Sequence, residues 1–343
     1  MVWHYKSEGG EYVYIYNLNT INLLDKRMDD SGVDSTRSLF YQLVKANEKE
    51  ALNLINDENL HFTSLFVLKP EIEELKLFQK LNIRNRIALR ITSEILLSKK
   101  NISDVEYLSF DYIQAVHSVL KWMLETGCIN DGLNDQYDEI LDIAAIFLIK
   151  IYRDKAVLPI IAEMIFRRYK QGLLIHDLAW AFFESRDPIS LSIISERLQS
   201  KEFKDVELAQ ELLSFVPGIG IRENIDIKKQ YLSFLDWFGK DNLFLRFTGE
   251  SFQQTKNPVI YRVVLEAKYL CEPVSIDTGK ILRILSGKEC KLIDEFKRLD
   301  KKIQKLLSEF SVMLHHNNIC KWQEWLECPI EEQIKFARIG GIR

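Results

Sequence analysis

Glycine and proline are scarce in this chain, 14 and 7 residues out of 343. All-β proteins need such residues at frequent tight turns, so their shortage points to long helices on short connections. Cysteine is scarcer still: Cys128, Cys271, Cys290, Cys320 and Cys328 are odd in number and widely scattered. A disulfide framework belongs to small secreted domains, so reduced thiols in a cytoplasm are expected. No charge of one sign dominates, because 46 Lys and Arg stand against 50 Asp and Glu for a formal net charge of −4. That balance leaves no global field to hold a polyanion and argues against nucleic acid as the partner, local basic patches apart. Long apolar runs are also missing. The longest near the middle, Ile143 to Ile149, is too short to span a bilayer, so no membrane association is expected. The opening Met1-Val2-Trp3-His4-Tyr5-Lys6 has no basic region leading into an apolar run, so no secretion signal is expected and the location is read as cytoplasmic.

What is present is apolar mass, 47% of residues, arranged mostly at helical spacing. At this length two domains or one extended helical array are the natural outcomes. The one β-like region comes first: Val2 to Lys6 and Glu11 to Tyr16 flank Gly9-Gly10, which reads as a β-hairpin domain over 1–20. A lone hairpin is marginal in water, so it must pack on the helices behind it or on a partner. From Ser38 the spacing predicts helices over 36–56, 71–99, 108–126, 135–152, 155–170, 173–185, 188–200 and 204–216. Asp187-Pro188 is a good helix start and Pro217-Gly218 a good stop. A helical domain over 21–218 and a second over 219–343 are therefore expected. The second carries candidate helices over 226–239, 241–248, 257–271, 277–286, 289–316, 319–327 and 331–338.

Sliding the chain against itself by 33 residues reveals an internal repeat. Asp154, Leu158, Ile160, Ile161, Glu163 and Phe182 recur as Asp187, Leu191, Ile193, Ile194, Glu196 and Phe215. Chance would supply about two such matches over this span. Apolar character is kept at Ala156/Ile189, Ile165/Leu198, Leu173/Val206, Ile175/Leu208, Ala179/Leu212 and Phe183/Val216, so each unit reads as two amphipathic helices joined by a short turn. Asp187-Pro188-Ile189-Ser190-Leu191, followed by Ile193-Ile194 and a second helix from Val206 to Val216, resembles a short bacterial HEAT repeat. The resemblance covers 154–218 and extends loosely to the helix pair in 108–152. It implies an all-α fold with a HEAT-like helical array used as a binding surface, and names no partner. The Thr-Pro-Leu-His signature of ankyrin units and the spaced Trp, Gly and Tyr of tetratricopeptide units are absent.

The span 289–316 predicts the longest helix. Leu292, Phe296, Leu299, Ile303, Leu306, Phe310 and Met313 alternate at steps of four and three, the seam by which two helices wrap around each other. Packing within its own domain and homodimerisation through this helix are both open.

Sites that carry chemistry are few. His315, His316, Cys320 and Cys328 cluster without the close Cys pair of a zinc knuckle, so no metal is assigned. Gly279-Lys280 and Gly287-Lys288 lack the earlier Gly of a phosphate loop, where Val274 and Leu282 stand, and neither is followed by Ser or Thr. No cofactor is implied. Arg84, Arg86 and Arg90, with Lys99 and Lys100, make one basic patch, and Arg167, Arg168 and Lys170 another; they are either solvated faces or phosphate contacts. The polar segment Thr248 to Pro258 is the longest candidate loop, and its Phe252, Gln253, Gln254 and Lys256 are the candidate partner contacts, with a plain connector as the alternative.

The leading expectation is a non-catalytic scaffold, adaptor or assembly subunit, an immunity-type inhibitor included, binding another protein. The alternative is a nucleic-acid-binding HEAT-like protein using Arg84, Arg86, Arg90, Arg167, Arg168 and Lys170. An enzyme with an unrecognised site ranks last, since no carboxylates or histidines visibly converge.

Overall fold

The computed structural model describes residues 3–6, 12–15, 21–97, 113–220 and 227–340. The described chain is predominantly helical, with two small two-stranded sheets. It divides into two compact units, 1–185 and 186–343.

The first unit opens with strands β1 (Trp3–Lys6) and β2 (Tyr12–Ile15), paired antiparallel from Trp3↔Ile15 to Lys6↔Tyr12. How this hairpin's side chains pack lies outside the described residues, as do Lys99, Lys100 and the start of the helix expected from 108. Among the described residues nine helices follow: α1 (Leu23–Ala46), α2 (Glu48–Ile55), α3 (Phe62–Val67), α4 (Lys69–Glu74), α5 (Ile83–Leu97), α6 (Ile113–Gly127), α7 (Asp135–Lys150), α8 (Leu158–Gln171) and α9 (His176–Phe183). Helix α1 begins well before the expected residue 36 and breaks at Gly32, whose φ of +76° a side chain would strain. The single helix expected over 71–99 is α4 and α5 separated by a 3₁₀ turn at Phe78–Lys80. Asn82 accounts for much of that restart: its side-chain oxygen accepts from the Asn85 N–H and its amide donates to the Asn56 carbonyl.

The centre of this unit is aromatic. Phe62 stacks on Tyr137 at 5.7 Å between centroids and meets Trp122 edge-on at 5.9 Å. The Tyr137 hydroxyl is 2.7 Å from Thr63 Oγ1 and donates to the Gly127 carbonyl at 3.0 Å, so the buried phenol is satisfied. A side chain at Gly127 would run into that hydroxyl and into Leu141, which is why α6 approaches α7 so closely there.

The second unit contains α10 (Ile189–Glu196), α11 (Phe203–Leu212), α12 (Ile227–Asp241), β3 (Leu245–Phe247), β4 (Tyr261–Val263), α13 (Leu265–Tyr269), α14 (Gly287–Arg298), α15 (Lys301–Asn317), α16 (Ile319–Glu327) and α17 (Ile330–Gly340). Three expected helices here are corrected. Residues 241–248 hold a 3₁₀ turn and β3, 257–271 hold β4 and the short α13, and 277–286 are not helical. Strands β3 and β4 pair antiparallel, and the chain at 274–276 lies along β3's other side, Phe247 N–H donating to the Ile276 carbonyl and Val274 N–H to the Leu243 carbonyl. Strands of three residues are too short for alternation to distinguish them from a helical turn.

The long helix over 289–316 is also two helices. Leu299 has ψ 156° and Asp300 caps α15, its carboxylate accepting from the Lys302 and Ile303 N–H groups at 2.8 and 3.0 Å. The buried Gln304 amide donates back to the Lys297 and Leu299 carbonyls at 3.2 and 2.9 Å, satisfying carbonyls left free at the end of α14. The predicted seam packs inward: Phe296 is buried, and Leu292, Leu299, Ile303, Leu306 and Phe310 close around Tyr269, Leu307 and Trp325. Most of the apolar surface that a two-chain zipper would use is consumed in the unit's own core, with Met313 left 42% exposed.

Candidate functional site

The residues singled out from sequence separate into two kinds. Arg84 is turned onto its own chain, donating to the Asp57 and Glu58 carbonyls at 2.8 and 2.7 Å with its guanidinium 4.2 Å from the Trp122 ring. Arg90 lies 5.8 Å from the Phe78 ring, and Arg86 is half-buried. Arg168 is the most deeply committed: it holds Asp131 through Nε and Nη2, at 3.0 and 2.6 Å, and Asp142 through Nη1 at 3.0 Å. Burial pushes the Asp142 carboxyl up to about 6 against the pull of Arg168. Arg167 donates to the Cys128 carbonyl, while Lys170 is exposed at the end of α8. Arg84, Arg167 and Arg168 are thus engaged within the first unit.

The expected contact loop is the connection between β3 and β4. It is folded on itself: Thr248 Oγ1 donates to the Val259 carbonyl at 2.6 Å, Val259 N–H donates to Glu250 at 2.9 Å, and the Gln254 and Thr255 N–H groups donate to the Ser251 carbonyl. Gln253, Gln254 and Lys256 are exposed on it, and Phe252 is half-buried.

That hairpin forms part of a groove of about 1160 Å³ within the second unit. Its lining comes from the 215–218 segment after α11, from α12, from β3 and β4 with α13, from the 279–285 segment, and from α14 and α15. Nine basic side chains line it against four acidic ones, a local excess opposite in sign to the chain's net charge. Some of that charge is already spent. Lys268, 1% exposed, is neutralised by Asp241 at 2.5 Å and Glu309 at 2.7 Å. Burial raises the Asp241 carboxyl above its ordinary value, with the Lys268 hydrogen bond and charge opposing the rise. Arg283 is held by Glu272 and Glu289, which keeps the Glu289 carboxyl down at about 2, and Lys240 pairs with Asp236 one helical turn away.

Four cations in the groove, Arg246, Lys280, Lys297 and Lys305, have no carboxylate partner among the described residues, and Lys301 bonds only the neutral Gln304 at 2.9 Å. All five are exposed. Lys280 belongs to the Gly279-Lys280 pair that fails as a phosphate loop; Gly279, at φ +71°, packs against the Arg246 side chain so closely that a Cβ there would clash. Reading 289–316 as an apolar seam hid the other cations. Lys297, Lys301 and Lys305 recur at steps of four in the same stretch, a polar signal interleaved with the apolar seam.

The remaining sequence candidates do not converge. His315 meets Trp322 edge-on at 4.7 Å, Cys328 Sγ lies 3.4 Å from the Glu324 carbonyl, and no group of three His, Cys, Asp or Glu among the described residues could hold a metal ion. No helix of the described residues is long and apolar enough to cross a membrane. No protein-family model, curated protein or solved structure matches this chain.

Proposed function

We propose that this is a non-catalytic binding protein, an adaptor or assembly subunit, whose C-terminal unit holds an acidic region of another protein in the basic groove. One observation carries the reading: five exposed cations gathered in a concave site, without a carboxylate partner among the described residues, on a chain that is acidic overall. Uncompensated like charges repel one another, and an acidic partner both relieves that repulsion and gains speed of encounter from it. The helix pairs in 154–185 and 187–218 fit this as HEAT-like scaffolding, and the Gln253, Gln254 and Lys256 loop supplies further polar contacts beside the groove. Lys297→Glu, Lys301→Glu and Lys305→Glu combined test the proposal, since all three side chains are exposed and carry little of the fold. The tagged wild type should retain a stoichiometric protein through nuclease treatment, and the triple variant should lose it while unfolding at the same temperature. Retention by the triple variant, or recovery of nucleic acid in place of protein, would refute the reading.

A further inference from the structure

The groove is not uniformly charged. Val263, Val264, Leu265, Ile281 and Leu285 line it half-buried and Ile293 is buried, whereas Arg246, Lys280, Lys297, Lys301 and Lys305 are exposed. Apolar side chains and the neutralised Lys268–Asp241 pair lie deep, and the unmatched cations form the rim. Two classes of polyanion would meet such a surface differently. A single nucleic-acid strand uses exposed aromatic faces as stacking platforms. Here Trp237 is 9% and Tyr261 2% exposed, and Phe215 packs against both at 6.4 Å, so the groove's aromatics are occupied by one another. A peptide with one apolar face and flanking carboxylates leaves neither layer unused.

Size narrows the choice further. A helix about 10 Å across rises about 1.5 Å per residue, so roughly ten residues fill about 1200 Å³, close to the groove's 1160 Å³. Carboxylates four residues apart on one helical face recur about every 6 Å, a repeat that suits Lys301 and Lys305 one turn apart on α15, with Lys297 at the end of α14 extending the same rim. Resting on the acidic-partner reading above, we propose that the partner enters the groove as an amphipathic acidic helix, its apolar face on the Val263–Leu265 and Ile281–Leu285 side chains and its carboxylates against the lysine row of α14 and α15. This is helix-in-groove recognition, with apolar anchors for affinity and rim charges for orientation and rate.

The break at Leu299–Asp300 is then part of the site. Lys297, at the end of one helix, and Lys301 and Lys305, at the start of the next, flank it and line the same groove.

The test titrates the whole chain, by fluorescence anisotropy, with four labelled probes. The first is a Leu/Glu peptide of about fifteen residues patterned at helical spacing; the second has the same composition scrambled; the third carries Ser at each Leu; the fourth is an oligothymidylate of similar charge. The patterned peptide should bind about tenfold or more tighter than the second and third, a difference of about 1.4 kcal/mol. That margin should vanish in the Lys297→Glu, Lys301→Glu, Lys305→Glu variant. Equal binding of the patterned, scrambled and Ser peptides would overturn the helical mode while leaving the acidic-partner reading intact. Preference for the oligonucleotide, or no binding by any peptide, would overturn both.

Discussion

The two units differ in how their basic clusters are matched, the buried Lys268 pair of the second apart. In the first, Arg168 sits inside the protein with two aspartates wrapped around it, and Arg84 and Arg167 are tied to main-chain carbonyls. In the second, Arg246, Lys280, Lys297, Lys301 and Lys305 line a groove with no carboxylate of their own among the described residues. A buried, matched charge is a structural element, since its desolvation has been offset by its partners. A concave set of exposed, unmatched charges is held by water and counterions and stays open to an anionic ligand. Clusters that look alike in sequence therefore differ in meaning according to what surrounds them.

The sharpest way to break this comparison is to exchange the expected consequences. Arg168→Ala should destabilise the first unit by about 3–5 kcal/mol, because Asp131 and Asp142 are left buried without a cation; chemical denaturation measures it, and a loss below 1 kcal/mol would place Arg168 among the dispensable charges. The triple glutamate substitution in the lysine row should do the reverse. Affinity for the acidic peptide should fall about tenfold or more, while each exposed site changes stability by no more than about 0.5 kcal/mol.

Smaller effects sharpen the picture. Asp300→Ala removes the cap of α15 and should cost about 1 kcal/mol, and the same variant should weaken peptide binding by loosening the break that presents Lys297 and Lys301; calorimetric unfolding and anisotropy together separate the two. The Asp142 carboxyl, raised to about 6 by burial, gives the first unit a pH signature. An acid whose pKa is higher folded than unfolded binds more protons in the native state between the two values, so stability falls as pH rises from about 4 to about 6. Across that window the wild type should lose stability relative to Asp142→Asn, and a difference that stays constant with pH would contradict the shift. Added salt should weaken peptide binding at the exposed rim while scarcely touching the Arg168 cluster, since screening acts on solvated charges.

Periodicity carried much of the helical architecture. The hydrophobic rhythms behind α7, α8, α10, α11 and α16 are long or strongly patterned, and the capping residues at Asp187 and Pro217-Gly218 bracket a real helix pair. Strands β3 and β4 escaped because three residues hold too little pattern to reveal a period of two. The break in 289–316 escaped for a different reason: the apolar seam runs through Leu299 uninterrupted, and the stop depends on Gln304 reaching back to two carbonyls, an interaction no seam reading contains. None of the groove's lining residues stood among the sequence candidates for a site; the β3–β4 loop over 248–258, chosen for its length and polarity, lies outside the lining.

Composition and spacing by themselves determined that the chain would be mainly helical, because the scarcity of turn residues and the recurrence of apolar positions act locally, within a turn or two of backbone. Tertiary structure decided which charges are available. Arg168 and Lys305 are both basic residues on amphipathic helices, and only the fold places Asp131 and Asp142 against one and an open groove against the other. Availability of charge is a property of what lies across the gap, contributed by residues dozens of positions away, and Coulomb energy and desolvation are both set by that distance and burial.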